Sequence, residues 1–124
     1  MKLFTIDDAN ALIPRVERDL QLIKDLYAGV DSSRDSSRAA SAASHFGGGM
    51  SGGTAYVNTL YAIGKMTSEL QELGVELKDP SRGLVDFPSL RGERIVHLCW
   101  ELGEGGGIRY WHETDSGYAG RQEI

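Results

Sequence analysis

Cysteine is nearly absent: Cys99 stands alone among 124 residues, so no intrachain disulfide and no cluster of thiolate zinc ligands can form. Nothing in the chain therefore demands an oxidising compartment. Basic charge is also scarce, with 13 Lys and Arg against 18 Asp and Glu and a formal charge of -5. Neutralising phosphates or anionic headgroups needs a basic stripe, and the lack of one argues against binding to nucleic acid or to a membrane. No stretch approaches the roughly 18 consecutive apolar residues of a membrane span. Asp7 and Asp8 fall where a signal peptide would continue its apolar segment. These absences describe a soluble, unprocessed, cytoplasmic protein whose partner is a protein, a second copy of itself or a small molecule. The length suits one domain, 1–124, with a single core and no room for separate substrate and cofactor domains.

What is present begins with two helical patterns. Thr5 with Asp8 three residues on forms a capping box with Asp in place of Glu, and Phe4 is placed to staple onto Ala9, so a helix is expected from about Ile6. Pro14 removes a backbone hydrogen bond more than two turns later, which predicts a kink there. Ile13, Val16, Leu20, Ile23 and Tyr27 then recur at i, i+3, i+4 spacing and define a buried face. Residues 31–53 hold Ser-Ser-Arg repeats, an Ala/Ser tract ending at His45 and Phe46, and two Gly runs; with little to bury, they read as a flexible linker. Beyond it Thr54 can cap a second long helix carrying Val57, Leu60, Tyr61, Ile63, Met66, Leu70 and Leu73, closed by Gly74. Segments 1–30 and 54–74 are thus expected to pack as an antiparallel helical hairpin.

From Val75 onward the apolar period changes to two. Three strands are expected, 83–87, 94–100 and 108–113, joined by Pro88-to-Glu93 and by a glycine-rich loop at 103–107. The fold class is then α+β: a helical hairpin, its first helix kinked at a proline, packed on a small three-stranded antiparallel sheet with a long C-terminal loop. Residues 75–124 form the β meander and that loop.

Several short motifs in this order carry a resemblance. Phe-Thr-Ile-Asp-Asp-Ala-Asn-Ala-Leu-Ile-Pro opens the chain at Phe4, and Val-Glu-Leu-Lys-Asp-Pro follows at 75–80. Gly-Leu-Val-Asp-Phe-Pro stands at 83–88, Leu-Cys-Trp at 98–100, Gly-Glu at 103–104, Trp-His at 111–112 and Gly-Tyr-Ala-Gly-Arg at 117–121. With these motifs at both ends the sequence resembles the bacterial domain-of-unknown-function family 2203. The resemblance supports the fold and the location but brings no activity, cofactor or catalytic residue.

Strand alternation sorts the residues able to do chemistry. Val96, Leu98 and Trp100 take one side of their strand and Ile95, His97 and Cys99 the other; likewise Val85 and Phe87 oppose Leu84 and Asp86. In the last strand Ile108, Tyr110 and His112 are expected on the core side, although a one-residue slip reverses that. The candidate site face then comprises Asp86, His97, Cys99, Arg109, Trp111 and Glu113, with Arg121 returned to it by the C-terminal turn. There Arg121 would pair with Asp86 or Asp79, or bind an acidic ligand. Trp100 is expected in the core, and Trp111 either there or at an interface.

Cys99, His97, His112, Asp86 and Glu104 are all legal ligands for a divalent metal, yet their spacing follows no known ligand pattern. A buried, hydrogen-bonded His112 and a half-buried apolar Cys99 explain them more simply. A Cys99 nucleophile served by His97 would have to span roughly 7 Å along one strand. The glycines at 103–107 precede no helix and carry Glu104, so they read as a hairpin loop rather than a phosphate cradle. No complete catalytic set emerges, and enzyme status stays undecided. The reading preferred on sequence is a noncatalytic, self-associating interaction module using an exposed sheet face; the alternative is a small metal-binding protein or enzyme with a Cys/His/Asp site.

Overall fold

The structure is a computed structural model that describes residues 1–44 and 51–124, with backbone only for 31–44 and 51–53. Helix α1 spans Ile6–Ser44 and α2 Ser51–Glu72; the strands are β1 Glu76–Asp79, β2 Leu84–Arg91, β3 Arg94–Glu101, β4 Tyr110–Glu113 and β5 Gln122–Glu123. One turn of 3-10 helix, Tyr118–Gly120, lies between β4 and β5.

The capping box forms as expected. The Thr5 N–H donates to Asp8 Oδ2 at 3.1 Å, and the Asp8 N–H donates to Thr5 Oγ1 at 3.0 Å. Helix α1 is continuous through Pro14 and does not restart. It also runs into the segment expected to be a linker, because neither Pro nor Gly interrupts residues 31–44. Residues 45–50, with His45, lie outside the described residues. Ala9, Ile13, Val16, Leu20, Ile23 and Val30 form the buried stripe of α1. On α2 the buried face is narrower than the apolar periodicity implies: Ile63 and Leu70 are buried, but Val57, Leu60 and Tyr61 are exposed. Gly74 ends that helix at φ +90°, its N–H donating to Gln71 O at 2.9 Å. A Cβ there would lie 2.8 Å from Lys2 Cβ, so the end of α2 sits beside the segment that opens α1, as an antiparallel pair requires.

The sheet has five strands rather than three, all antiparallel, in the order β1-β2-β3-β4-β5. Glu76–Asp79 and Gln122–Glu123 add the two edges. The expected connector at Pro88 is strand instead, since β2 runs on to Arg91 and turns through Gly92 into β3. One face packs Val85, Phe87, Val96, Leu98, Trp100 and Trp111 into a common core with the α1 stripe and Leu70. Burying each such side chain contributes on the order of 1.5–3 kcal/mol. Phe4 seals one end, packing edge-on against Phe87 at 5.3 Å. Its N–H donates to Pro88 O, and its carbonyl accepts the Ser89 hydroxyl. Among the described residues, no helix is long and apolar enough to cross a membrane.

Candidate metal centre

The other sheet face is also buried, and its occupants are polar. Asp86 is 2% exposed, His112 2%, His97 8% and Cys99 1%. Register explains how they meet: Asp86 stands opposite Cys99, while His97 stands opposite His112, so β3 presents its side chains between Asp86 of β2 and His112 of β4. The expected phase of the last strand is therefore reversed. His112 and Tyr110 share the face of His97 and Cys99, and Trp111 points into the helix-facing core opposite Leu98. Alternation alone left the choice of face open, and the pairing of Leu98 with Trp111 and of His97 with His112 decides it.

The remaining candidates disperse. Glu113 shares the side of Trp111 and binds Arg94 at 2.6 Å, and Arg109 is exposed before β4. Arg121 pairs neither Asp86 nor Asp79; its Nη2 donates to both oxygens of Glu104, at 2.7 and 2.6 Å. Glu104, so engaged, stands outside the group of potential metal ligands, as does Cys99. Burial, with the Asp86 carboxylate beside it, pushes the Cys99 thiol up to about 12. Such a thiol is no nucleophile near neutral pH.

Three groups do converge. Donor atoms of Asp86, His97 and His112 all lie within 4.8 Å of one another. His112 Nε2 is 3.0 Å from Asp86 Oδ1, and His97 Nδ1 is 3.2 Å from Asp86 Oδ2. The second contact is out of hydrogen-bonding alignment, and His97 Nδ1 is buried without a partner. On the outer side of each ring stands another oxygen: Glu113 O is 2.7 Å from His112 Nδ1, and Glu76 Oε2 is 3.7 Å from His97 Nε2. The ion pairs among the described residues give Asp86 no Lys or Arg partner.

A cavity of about 190 Å³ opens on these three residues, walled also by Lys78, Leu84, Thr114, Gly117 and Tyr118. Its C-terminal wall is tied down by stacking: the Arg121 guanidinium lies 3.9 Å from the Tyr110 ring centroid and 4.6 Å from that of Tyr118, which also carries Arg82 at 4.2 Å. Sequence reasoning missed Glu76, Lys78 and Thr114, while Tyr118 comes to the sheet through the C-terminal turn, as its flanking glycines allow. The alternation Val75-Glu76-Leu77-Lys78 was the available signal, since it is itself the pattern of an edge strand.

A family model described as "Uncharacterized conserved protein (DUF2203)" matches residues 2–124. The chain belongs to the DUF2203 family. No curated protein and no solved structure matches this DUF2203 chain. Membership confirms the resemblance carried by the terminal motifs and assigns no chemistry to the Asp86, His97 and His112 cluster.

Proposed function

We propose that this protein binds one divalent first-row transition metal through His97 Nδ1, His112 Nε2 and the Asp86 carboxylate. The reading is carried by the surroundings of His112, both of whose ring nitrogens face oxygen acceptors. A neutral imidazole has one N–H. Donating it from Nδ1 to the Glu113 carbonyl leaves the Nε2 lone pair against a buried carboxylate, and a cation between them relieves the repulsion. A proton would serve that edge alone and leave His97 Nδ1 unpartnered. A metal ion answers all three donors at once.

Two further features support it. Outer-nitrogen hydrogen bonds from a metal-bound histidine to a carbonyl or carboxylate fix the tautomer and raise ligand basicity, and Glu113 O stands where such a partner belongs, while Glu76 lies 3.7 Å beyond His97 Nε2, outside hydrogen-bond reach. Metal–nitrogen and metal–oxygen bonds of about 2.0–2.2 Å put neighbouring donors about 2.9–3.4 Å apart; the two Asp86–His separations are 3.0 and 3.2 Å. Nitrogen and oxygen donors suit zinc, iron or nickel rather than a thiolate-seeking ion. Three protein ligands leave coordination positions for water or a substrate, and the adjoining cavity gives such a ligand room. Of the three residues at the centre of the preferred sequence reading, an interaction surface around Trp111, Arg109 and Asp86, Arg109 is exposed, whereas Trp111 and Asp86 are buried in the chain by itself.

Untagged protein stripped with chelator and titrated with Co²⁺ tests this. One Co²⁺ per chain is expected, with visible absorption characteristic of nitrogen and oxygen ligation. Asp86→Asn and His112→Gln are expected to weaken binding at least about 10-fold. A folded protein that takes up no Co²⁺ or Zn²⁺, with His112 a stable imidazolium by nitrogen NMR at neutral pH, overturns the proposal.

A further inference from the structure

A second cavity, of about 300 Å³, sits at the other face of the sheet and shares no residue with the metal centre. Its apolar wall is built from Val96, Leu98 and Trp111, which belong to the core, and its rim carries Leu3, Ile6 and Leu90, all exposed. The polar groups there are almost all spent. Ser89 donates its hydroxyl to Phe4 O, Thr5 Oγ1 accepts from the Asp8 N–H, and the Phe4 N–H is taken by Pro88 O. Arg91 is the exception. Its guanidinium lies 4.3 Å from the Trp111 ring centroid, and among the described residues no carboxylate pairs with it.

We infer that this cavity binds a medium-chain carboxylate, its hydrocarbon chain against Val96, Leu98 and Trp111 and its carboxylate on Arg91. An apolar pocket with one unspent cation selects a ligand with an apolar body and one anionic group. The guanidinium carbon of Arg91 lies over the Trp111 ring, and the planar fork of N–H donors on such a group suits a carboxylate bidentately. About 300 Å³ gives room for a medium-length hydrocarbon body, and an eight-carbon chain is the probe chosen. The charge argument selects a small anion over a second copy of this acidic chain, because Arg91, exposed at the rim, is the one cation in the cavity's lining, and its cross-strand neighbour Arg94 is already paired with Glu113.

Calorimetric titration of the full chain with octanoate and with 1-octanol, both below self-association, decides between these occupants. Octanoate is expected to bind one site at least about 10-fold more tightly than octanol, and Arg91→Gln to erase that difference by weakening octanoate alone. Leu3→Trp, a change at an exposed rim position, is expected to block both ligands while the melting curve stays close to wild type. The inference is overturned if neither ligand binds, if both bind the wild type equally, or if Arg91→Gln leaves octanoate affinity unchanged. A dimer in sedimentation that Leu3→Trp dissociates, in a protein that binds no octanoate, would overturn the inference and assign the cavity to self-association instead.

Discussion

His97 and His112 stand directly opposite each other on β3 and β4, ring centroids 5.3 Å apart and planes at 85°. The edge-to-face arrangement lets each ring turn an inner nitrogen toward the same carboxylate. Stability should then respond to metal. At a free metal concentration of about 100 times Kd, the proposed site adds about 2.7 kcal/mol to unfolding. Denaturant titrations with Zn²⁺ and with chelator are expected to differ by about that amount in the wild type and by no more than about 1.4 kcal/mol in Asp86→Asn, the remainder left by a loss of affinity of about 10-fold.

Both tryptophans belong to the core, which sharpens what their removal does. Trp100→Ala and Trp111→Ala are each expected to cost about 3–5 kcal/mol, and neither ring to be quenched by iodide in the folded protein. Trp100→Phe keeps most of the volume but leaves the Gly105 carbonyl without the indole N–H that now lies 3.0 Å away. A loss of about 1 kcal/mol is expected there, measured by urea denaturation.

Cys99 supplies the pH test. With its thiol pushed up to about 12, the folded state holds that proton more tightly than the unfolded state, whose thiol titrates near the ordinary value of about 8.5. The contribution is fully present below that ordinary value and is lost as pH rises toward 12. Unfolding monitored from pH 8 to 11 should show stability declining in the wild type and declining less in Cys99→Ala. Iodoacetamide at neutral pH is expected to modify Cys99 no faster than the chain opens.

Arg121 and Glu104 should behave as a unit. Both side chains are largely buried, and removing either one strands the other's charge. Arg121→Met and Glu104→Gln alone are each expected to cost about 2–4 kcal/mol, and the double variant less than the sum. A double-mutant cycle in urea, analysed for coupling above about 1 kcal/mol, checks it.

Gly74 and Gly92 both have positive φ but differ in their surroundings. A methyl group at Gly92 meets nothing within 4 Å, so Gly92→Ala is expected to cost only the backbone strain, about 1 kcal/mol. At Gly74 the same methyl presses on Lys2 Cβ, and Gly74→Ala is expected to cost more. Thermal melts of the two variants give the comparison.

The local chemistry of this fold was legible in the sequence where it depends on near neighbours. Thr5 with Asp8, the stripe from Ile13 to Ile23, Gly74, and the alternation in β2 and β3 all emerge as read. What escaped depends on partners distant along the chain. Alternation within β4 cannot reveal its phase, because Tyr110, Trp111 and His112 all suit either face; pairing with β3 decides it, and with it the union of His112 with Asp86 and His97. Edge strands as short as β5, two residues long, carry no period at all. Arg121 had several acidic residues within plausible reach, and the path of the C-terminal turn selected Glu104.

The bonds from Phe4 to Pro88 and Ser89 also set a timetable for the nascent chain. Ser89 and Phe4 are 85 residues apart, so at about 5–20 residues per second the start of α1 waits roughly 4–17 s for the strand that will cover it. During that interval the ribosome displays Ile13, Val16, Leu20 and Ile23 as an open apolar stripe, with at most α2 to shelter it. Vectorial synthesis thus leaves the apolar stripe of α1 open to other contacts until β2 and β3 have been made.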